Sequence, residues 1–316
     1  MSKYVIGEAV TRLDASIKNG GAFLGYQLET MLKESVRQPA LPLSAFRYIP
    51  MDNKIVKDGS TSWKYRVVTS YGSSTRLVTG DEELKRVGAT YHFEDGVVIN
   101  DGAVFGWNHK QIKEAAFSGV PLQDDMLTSA REQSQAFIND IAWHGDVSAG
   151  CYGVLSNQYV PKYTLSAQIT SATSAADAIS ILSGIVNSIY KISKCMIIPD
   201  HLLLPTGVDA VVSNLYLSGT SKNVVSALKE SHKNKYGVEL IVGCAPELDG
   251  AGDNGEDICF TFKSDKSVLM IPVPLAFEIL PVQYTNLRYD FPVNWSAGTA
   301  MIRKPLGCAV GAFPLN

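Results

Sequence analysis

Trp63-Lys64-Tyr65-Arg66-Val67 is the stretch on which the reading of this chain turns. Apolar Trp63, Tyr65 and Val67 alternate with cationic Lys64 and Arg66, the period of two that a β-strand imposes on its faces. Gly72-Ser73-Ser74 interrupts the strand and Arg76-Leu77-Val78-Thr79 resumes it. Gly80 and the charged run from Asp81 to Arg86 form a polar tip, and a second extended stretch runs from Ala89 to about Asn100. The spacing predicts one long hairpin. Two strands alone are marginally stable in water, so the hairpin packs either on its own chain or on a neighbour.

Before the hairpin, Leu24, Leu28, Met31 and Leu32 follow a helical spacing, and Pro39, Pro42 and Pro50 forbid a long helix. A short helix in extended polypeptide reads as an arm. After the hairpin, a short helix is expected from about His109 to Phe117, ended by Gly119 and Pro121. A longer one follows over 123–144, with Leu127, Ala130, Phe137, Ile138 and Ile141 on one face. Asp124 and Asp125 suit its positive end, and Gly145 and Gly150 stop it. A second long helix over 174–193 starts at the N-cap Ser174, with Ile179, Leu182, Ile185, Val186 and Ile189 as its stripe. Strands are expected at Cys195–Ile198, Val238–Val242, Ile258–Phe262 and Val268–Ile271, with short helices near 206–217 and 221–232. This alternation predicts a compact α/β unit. Residues 276–316 read as β-rich.

The chain has 316 residues, 46% hydrophobic and 19% charged, enough apolar side chain for a core and too little charge for disorder. Its 28 Lys and Arg against 31 Asp and Glu give a net charge of −3, which argues against gripping nucleic acid as a primary function. No run of 18 apolar residues spans a membrane, and the first residues lack a signal-peptide core. Cys151, Cys195, Cys244, Cys259 and Cys308 are odd in number and widely spaced. They read as buried free thiols of a reducing cytoplasm, with no disulfide framework or zinc site.

Catalytic signals are scarce. Nucleophile-elbow, phosphate-loop, dinucleotide and zinc-helix motifs are all missing, and no cofactor or metal is implied. His144 and Asp146 suggest a base directed at Cys151, although a cation at a helix end is favoured by the dipole alone. Residues 245–257 contain five acids and no base, but miss the calcium-loop register. Trp63, Trp107, Trp143 and Trp295 are scattered and read as packing residues. The balance favours a scaffold or shell.

The order arm, long hairpin, long helix, α/β unit and β-rich return resembles the Hong-Kong-phage-type fold of tailed-bacteriophage major capsid proteins. Asn139 to Asp146, leading to Gly153-Val154-Leu155-Ser156-Asn157, resembles the end of that family's spine helix. Gln283-Tyr284 and the stretch from Gly298 to Pro305 resemble one subfamily's C-terminal part. The resemblance implies an α+β fold with an N-arm at 1–49, an extended E-loop hairpin at 50–104, and a peripheral domain with a long spine helix at 105–162. A compact α/β axial domain follows at 163–269, and the peripheral domain's return strands at 270–316.

It further implies hexamers and pentamers in an icosahedral viral head, assembled in the host cytoplasm around double-stranded DNA that is enclosed without sequence-specific binding. Portal and decoration proteins are implied partners. Fewer than 50 residues precede the hairpin, so a separate scaffolding protein, or none, is expected. Trp63, Tyr65, Arg66 and Val67 become candidates for contact with a neighbouring subunit. Asp249, Asp253, Glu256 and Asp257 become an acidic loop near the capsomer axis. Lys54, Lys57 and Lys64 are available for a cross-link, with no partner identified. Two alternatives stay open: an encapsulin-type nanocompartment shell, and a hydrolase with a site near His144 and Cys151.

Overall fold

A computed structural model of the chain describes residues 42–74, 85–118 and 122–315. The arm helix, the hairpin tip and the stop at Gly119 and Pro121 lie outside these residues. The described chain begins with α1 (Ser44–Tyr48) and β1 (Met51–Asp52), followed by the hairpin strands β2 (Ser62–Tyr71) and β3 (Gly88–Asn108). Next come α2 (His109–Ser118), the long α3 (Leu122–Trp143), and short strands β4 (Gly145–Asp146), β5 (Cys151–Tyr152) and β6 (Lys162–Thr164). The α/β part holds α4 (Ala175–Ile192), β7 (His201–Leu204), α5 (Thr206–Asn214), α6 (Val224–Tyr236), β8 (Ile241–Cys244) and β9 (Ile258–Phe262). The return contains β10 (Leu269–Pro272), β11 (Leu275–Ile279), β12 (Gln283–Thr285), β13 (Arg288–Gly298), β14 (Met301–Ile302) and β15 (Cys308–Ala312).

One five-stranded sheet, ordered β6-β15-β9-β7-β8, is the wall between two hydrophobic cores. Ile258-Cys259-Phe260-Thr261-Phe262 is buried throughout because both faces of β9 are covered. Ile258, Phe260 and Phe262 point to a core shared with Ile138, Ile141 and Trp143 of α3. Cys259 points the other way, to a core shared with Leu182, Ile185 and Ile189 of α4. Leu202, Leu203 and Leu204 of β7 divide between the two by the same alternation. β15 sits between β6 and β9, so the last strand of the return belongs to the α/β sheet.

The chain reverses at the end of α3 by local necessity. Val154 and Leu155 donate backbone N–H groups to the terminal carbonyls of Ala142 and Trp143, each at 2.9 Å. Ser156 Oγ donates to the His144 carbonyl at 2.6 Å and accepts from Gly153 N–H at 2.9 Å. A Cβ at Gly153 would lie 2.5 Å from the Trp143 carbonyl oxygen, so only glycine fits. The Gly-Val-Leu-Ser-Asn string is therefore the helix cap. At the start of α2, Asn108 and Gln111 exchange backbone-to-side-chain hydrogen bonds of 3.0 and 2.8 Å, a capping box. Ser174 caps α4 as expected, accepting from Asp177 N–H.

Three expectations change. Cys195–Ile198 is not a strand. Lys194 and Cys195 take left-handed φ values of 50° and 69°, and Cys195 N–H reaches back to the Tyr190 carbonyl at 2.9 Å. Closing off α4 consumes these residues, and the strand begins at His201. The cysteines also differ. Cys151, Cys259 and Cys308 are buried, Cys244 is half-buried and Cys195 is exposed. In addition, the strand expected over 238–242 starts later, at Ile241. Among the described residues no helix is long and apolar enough to cross a membrane.

Candidate interaction surface

The hairpin pairs in strict antiparallel register from Ser62 opposite Val97 to Tyr71 opposite Gly88. Directly opposed residues share a face. Trp63, Tyr65 and Val67 therefore lie with Gly96, Glu94 and His92, while Lys64, Arg66 and Val68 lie with Asp95, Phe93 and Tyr91.

The first face is the one the alternation singled out, and the chain itself covers its root. Trp63 packs against the cluster of Val56, Val98, Met270 and Met301. Its ring stacks on Tyr65 at 5.5 Å and fills the space over Gly96, where any Cβ would collide with the indole. Arg303 stands over the Tyr65 ring at 5.8 Å. Burial, with Glu94 nearby, raises the Tyr65 phenol above its usual range. Thr299 brackets the root, its Oγ1 accepting from Val97 N–H at 3.1 Å. Trp63, Tyr65 and Val67 are half-buried and Arg66 is exposed.

The opposite face is open. Val68 is 50% exposed, Tyr91 58% and Phe93 60%. Lys64 and Arg66 stand over Phe93 and Tyr91 at 5.5 and 4.9 Å. From Val98 opposite Gly298, β3 pairs with β13 down to Asn108 opposite Arg288. The hairpin thus continues a broader sheet formed by β11, β13 and β3. Sequence reasoning missed Tyr91 and Phe93. Their alternation was visible, but only the pairing register shows that they share a face with Arg66.

The acids of residues 245–257 are engaged separately. Asp249 accepts from the Thr206 backbone N–H at 2.7 Å and from its hydroxyl, capping α5. Asp253 pairs with Lys162 at 2.6 Å. Glu256 accepts from Asn254 N–H and Asp257 from Gly250 N–H, each at 2.8 Å. Among the described residues, no group of three or more His, Cys, Asp or Glu gathers as metal ligands.

Glu247, in the same loop, was not singled out, yet it ties three elements together. It accepts from Ser44 Oγ of α1 at 2.5 Å and from Asn139 Nδ2 of α3 at 2.6 Å. Ser44 Oγ in turn accepts from the buried Trp143 indole at 2.9 Å, and Asn139 Oδ1 accepts from Ala45 N–H at 2.9 Å.

The proposed base and nucleophile do not assemble. His144 Nδ1 lies 3.0 Å from Asp140, one turn back on its own helix. Asp146 instead caps the turn at Val147–Ala149. The hydrogen bonds from Ser148 and Ala149 hold its carboxyl below the usual range. Cys151 is fully buried, and burial pushes its thiol up, away from the thiolate a nucleophile needs.

Comparisons with known proteins follow the same direction as the geometry. A family profile described as "Major capsid protein" matches residues 77–309. No curated protein matches the chain. Among solved structures, the capsid of Myoviridae phage XM1 aligns with a TM-score of 0.77 at 14% identity, covering 93% of this chain and 100% of that one. The capsid of a native GTA particle aligns at 0.62 with 9% identity, over 95% and 99%. The virus-like particle from Pyrococcus furiosus aligns at 0.53 with 13% identity, over 84% and 90%.

Proposed function

The chain belongs to the major capsid protein family and is a structural protein of the viral capsid, and from this premise we propose how its parts serve the shell. Copies assemble into hexamers and pentamers around double-stranded DNA, and residues 50–104 act as the E-loop lying across an adjacent subunit. The observation that carries this reading is the open hairpin face of Val68, Tyr91 and Phe93. Contiguous exposed apolar surface of this kind marks an interface. Arg66 and the aromatic rings beside it belong to the residue types enriched at contact hot spots.

The remaining segments take the roles of N-arm (1–49), peripheral domain (105–162 and 270–316) and axial domain (163–269). The protein has no catalytic turnover of its own, a reading supported by the buried Cys151 and by His144 being turned to Asp140. Portal and decoration proteins are partners in this scheme.

Negative-stain imaging of the purified protein over a concentration series tests the proposal. Closed shells or rings of five and six are expected. Phe93→Ser should keep the melting temperature and raise the protein concentration needed for assembly about tenfold, the equivalent of ~1.4 kcal/mol per contact. Wild-type protein that stays monomeric across concentration and salt would overturn it.

A further inference from the structure

The α/β part is polarised in charge. Parallel β7 and β8, with β9 antiparallel to them, set two ends of the sheet: Leu204, Cys244 and Ile258 at one, His201, Ile241 and Phe262 at the other. The loop 245–257, with its five acids and no base, joins β8 to β9 at the first end. Both α4 and α6 finish at the second end, where Tyr190 and Tyr236 meet at 4.8 Å before the chain enters β7 and β8. That end carries Lys191, Lys194, Lys233 and Lys235.

Lys235 lies over the Tyr236 and Tyr190 rings at 4.7 and 5.8 Å. Lys191, Lys194 and Lys233 are exposed, and no carboxylate pairs with them among the described residues. The nearby acid Glu230 is taken by Lys222, which leaves Glu239 as the other acid of the α6–β8 segment. Helix dipoles favour cations at the C-terminal ends of the two helices, but they do not require this many on one surface.

The loop and the lysines cannot meet within one chain. The four residue steps of β9 alone place about 13 Å between the two ends, beyond the roughly 8 Å Debye length at physiological salt. Between copies the two surfaces are complementary. Resting on the self-assembly reading above, we propose that the lysine end of one copy receives the acidic loop of the next, a head-to-tail contact. A contact between two different patches of the same chain generates a ring when its rotation closes. Asp253, exposed and ion-paired with Lys162 of its own chain, and half-buried Glu256 are the loop's outer carboxylates, and Lys191, Lys194 and Lys233 are their counterparts.

Charge reversal in the full-length protein tests this, read by sedimentation and light scattering between 50 and 500 mM NaCl. Lys191→Glu with Lys233→Glu should raise the assembly concentration at least about tenfold at low salt. Asp253→Lys with Glu256→Lys should do the same, and combining the two pairs should bring assembly back to within about threefold of wild type. Melting curves establish that each variant folds, and Lys191→Gln with Lys233→Gln serves if the reversal does not. Wild-type assembly should weaken as salt rises. If wild type assembles and either reversed pair leaves assembly unchanged, or the combination fails to rescue, the head-to-tail contact is wrong while the capsid reading stands. If the reversed lysines assemble normally but lose binding of a 30-base-pair DNA duplex, the surface serves nucleic acid and the contact is likewise wrong. Failure of wild type to assemble at any salt defeats the underlying reading itself.

Discussion

At the scale of single residues, the structure separates side chains that hold the subunit together from those left open. Trp63 is the sharpest case. Its aromatic face was expected to meet a neighbour, but the ring rests on Val56, Val98, Met270 and Met301 of its own chain. Trp63→Ala should therefore lower the subunit's own stability by about 2 kcal/mol, less than the cost of a fully buried tryptophan, as measured by chemical denaturation. The buried thiols give a pH prediction. Burial raises Cys259 and Cys308 from an ordinary 9.0 to about 12. The folded chain thus keeps protons that the unfolded chain loses, and stability falls as pH rises from about 9 to 12. Below pH 9 these two groups contribute no slope. Exposed Cys195 should react with a thiol reagent at once, whereas Cys151, Cys259 and Cys308 should react at the rate of unfolding. A stability curve flat to pH 11, or equal labelling of all five cysteines, would contradict this account.

At the scale of elements, what was legible followed from how local the cause was. The helices α3 and α4, the cap at Ser174 and the apolar strand Ile258–Phe262 are dictated by neighbours in sequence, and each could be read directly. The false strand at Cys195–Ile198 shows the limit, because four apolar or sulfur-bearing residues look alike in a strand and in a helix-ending turn. The open face of Tyr91 and Phe93 depended on the hairpin register, a relation between residues some 25 positions apart. The Glu247 junction depended on contacts across |i−j| of 203 and 108, which no spacing rule reaches. That junction has a testable weight. Glu247→Ala leaves the Ser44 hydroxyl and the Asn139 amide without their acceptor, which should cost about 2–4 kcal/mol. Glu247→Gln, keeping one acceptor oxygen, should cost less. The α3 cap is equally direct. Gly153→Ala should destabilise by about 1–3 kcal/mol through overpacking against Trp143, and circular dichroism should show an earlier melt of helix signal.

At the scale of the whole molecule, the described chain joins a double-core α/β part to a sheet that extends into an exposed hairpin. One strand, β3, runs through both the hairpin and the sheet, so force or displacement at the hairpin is carried into the paired β13. A chain that stood alone would gain nothing from 21 residues of strand whose outer half leaves Tyr91 and Phe93 in water. On the reading proposed above, the same feature supplies the contact between subunits in a shell. Photo-crosslinking tests this claim most directly, with Phe93→p-benzoylphenylalanine incorporated in assembled particles and adducts mapped by mass spectrometry. The account predicts covalent dimers in which position 93 is joined to a peptide of a second copy, formed in particles and lost in the dissociated subunit. Adducts confined to the same chain, at equal yield in particles and free subunits, would contradict it.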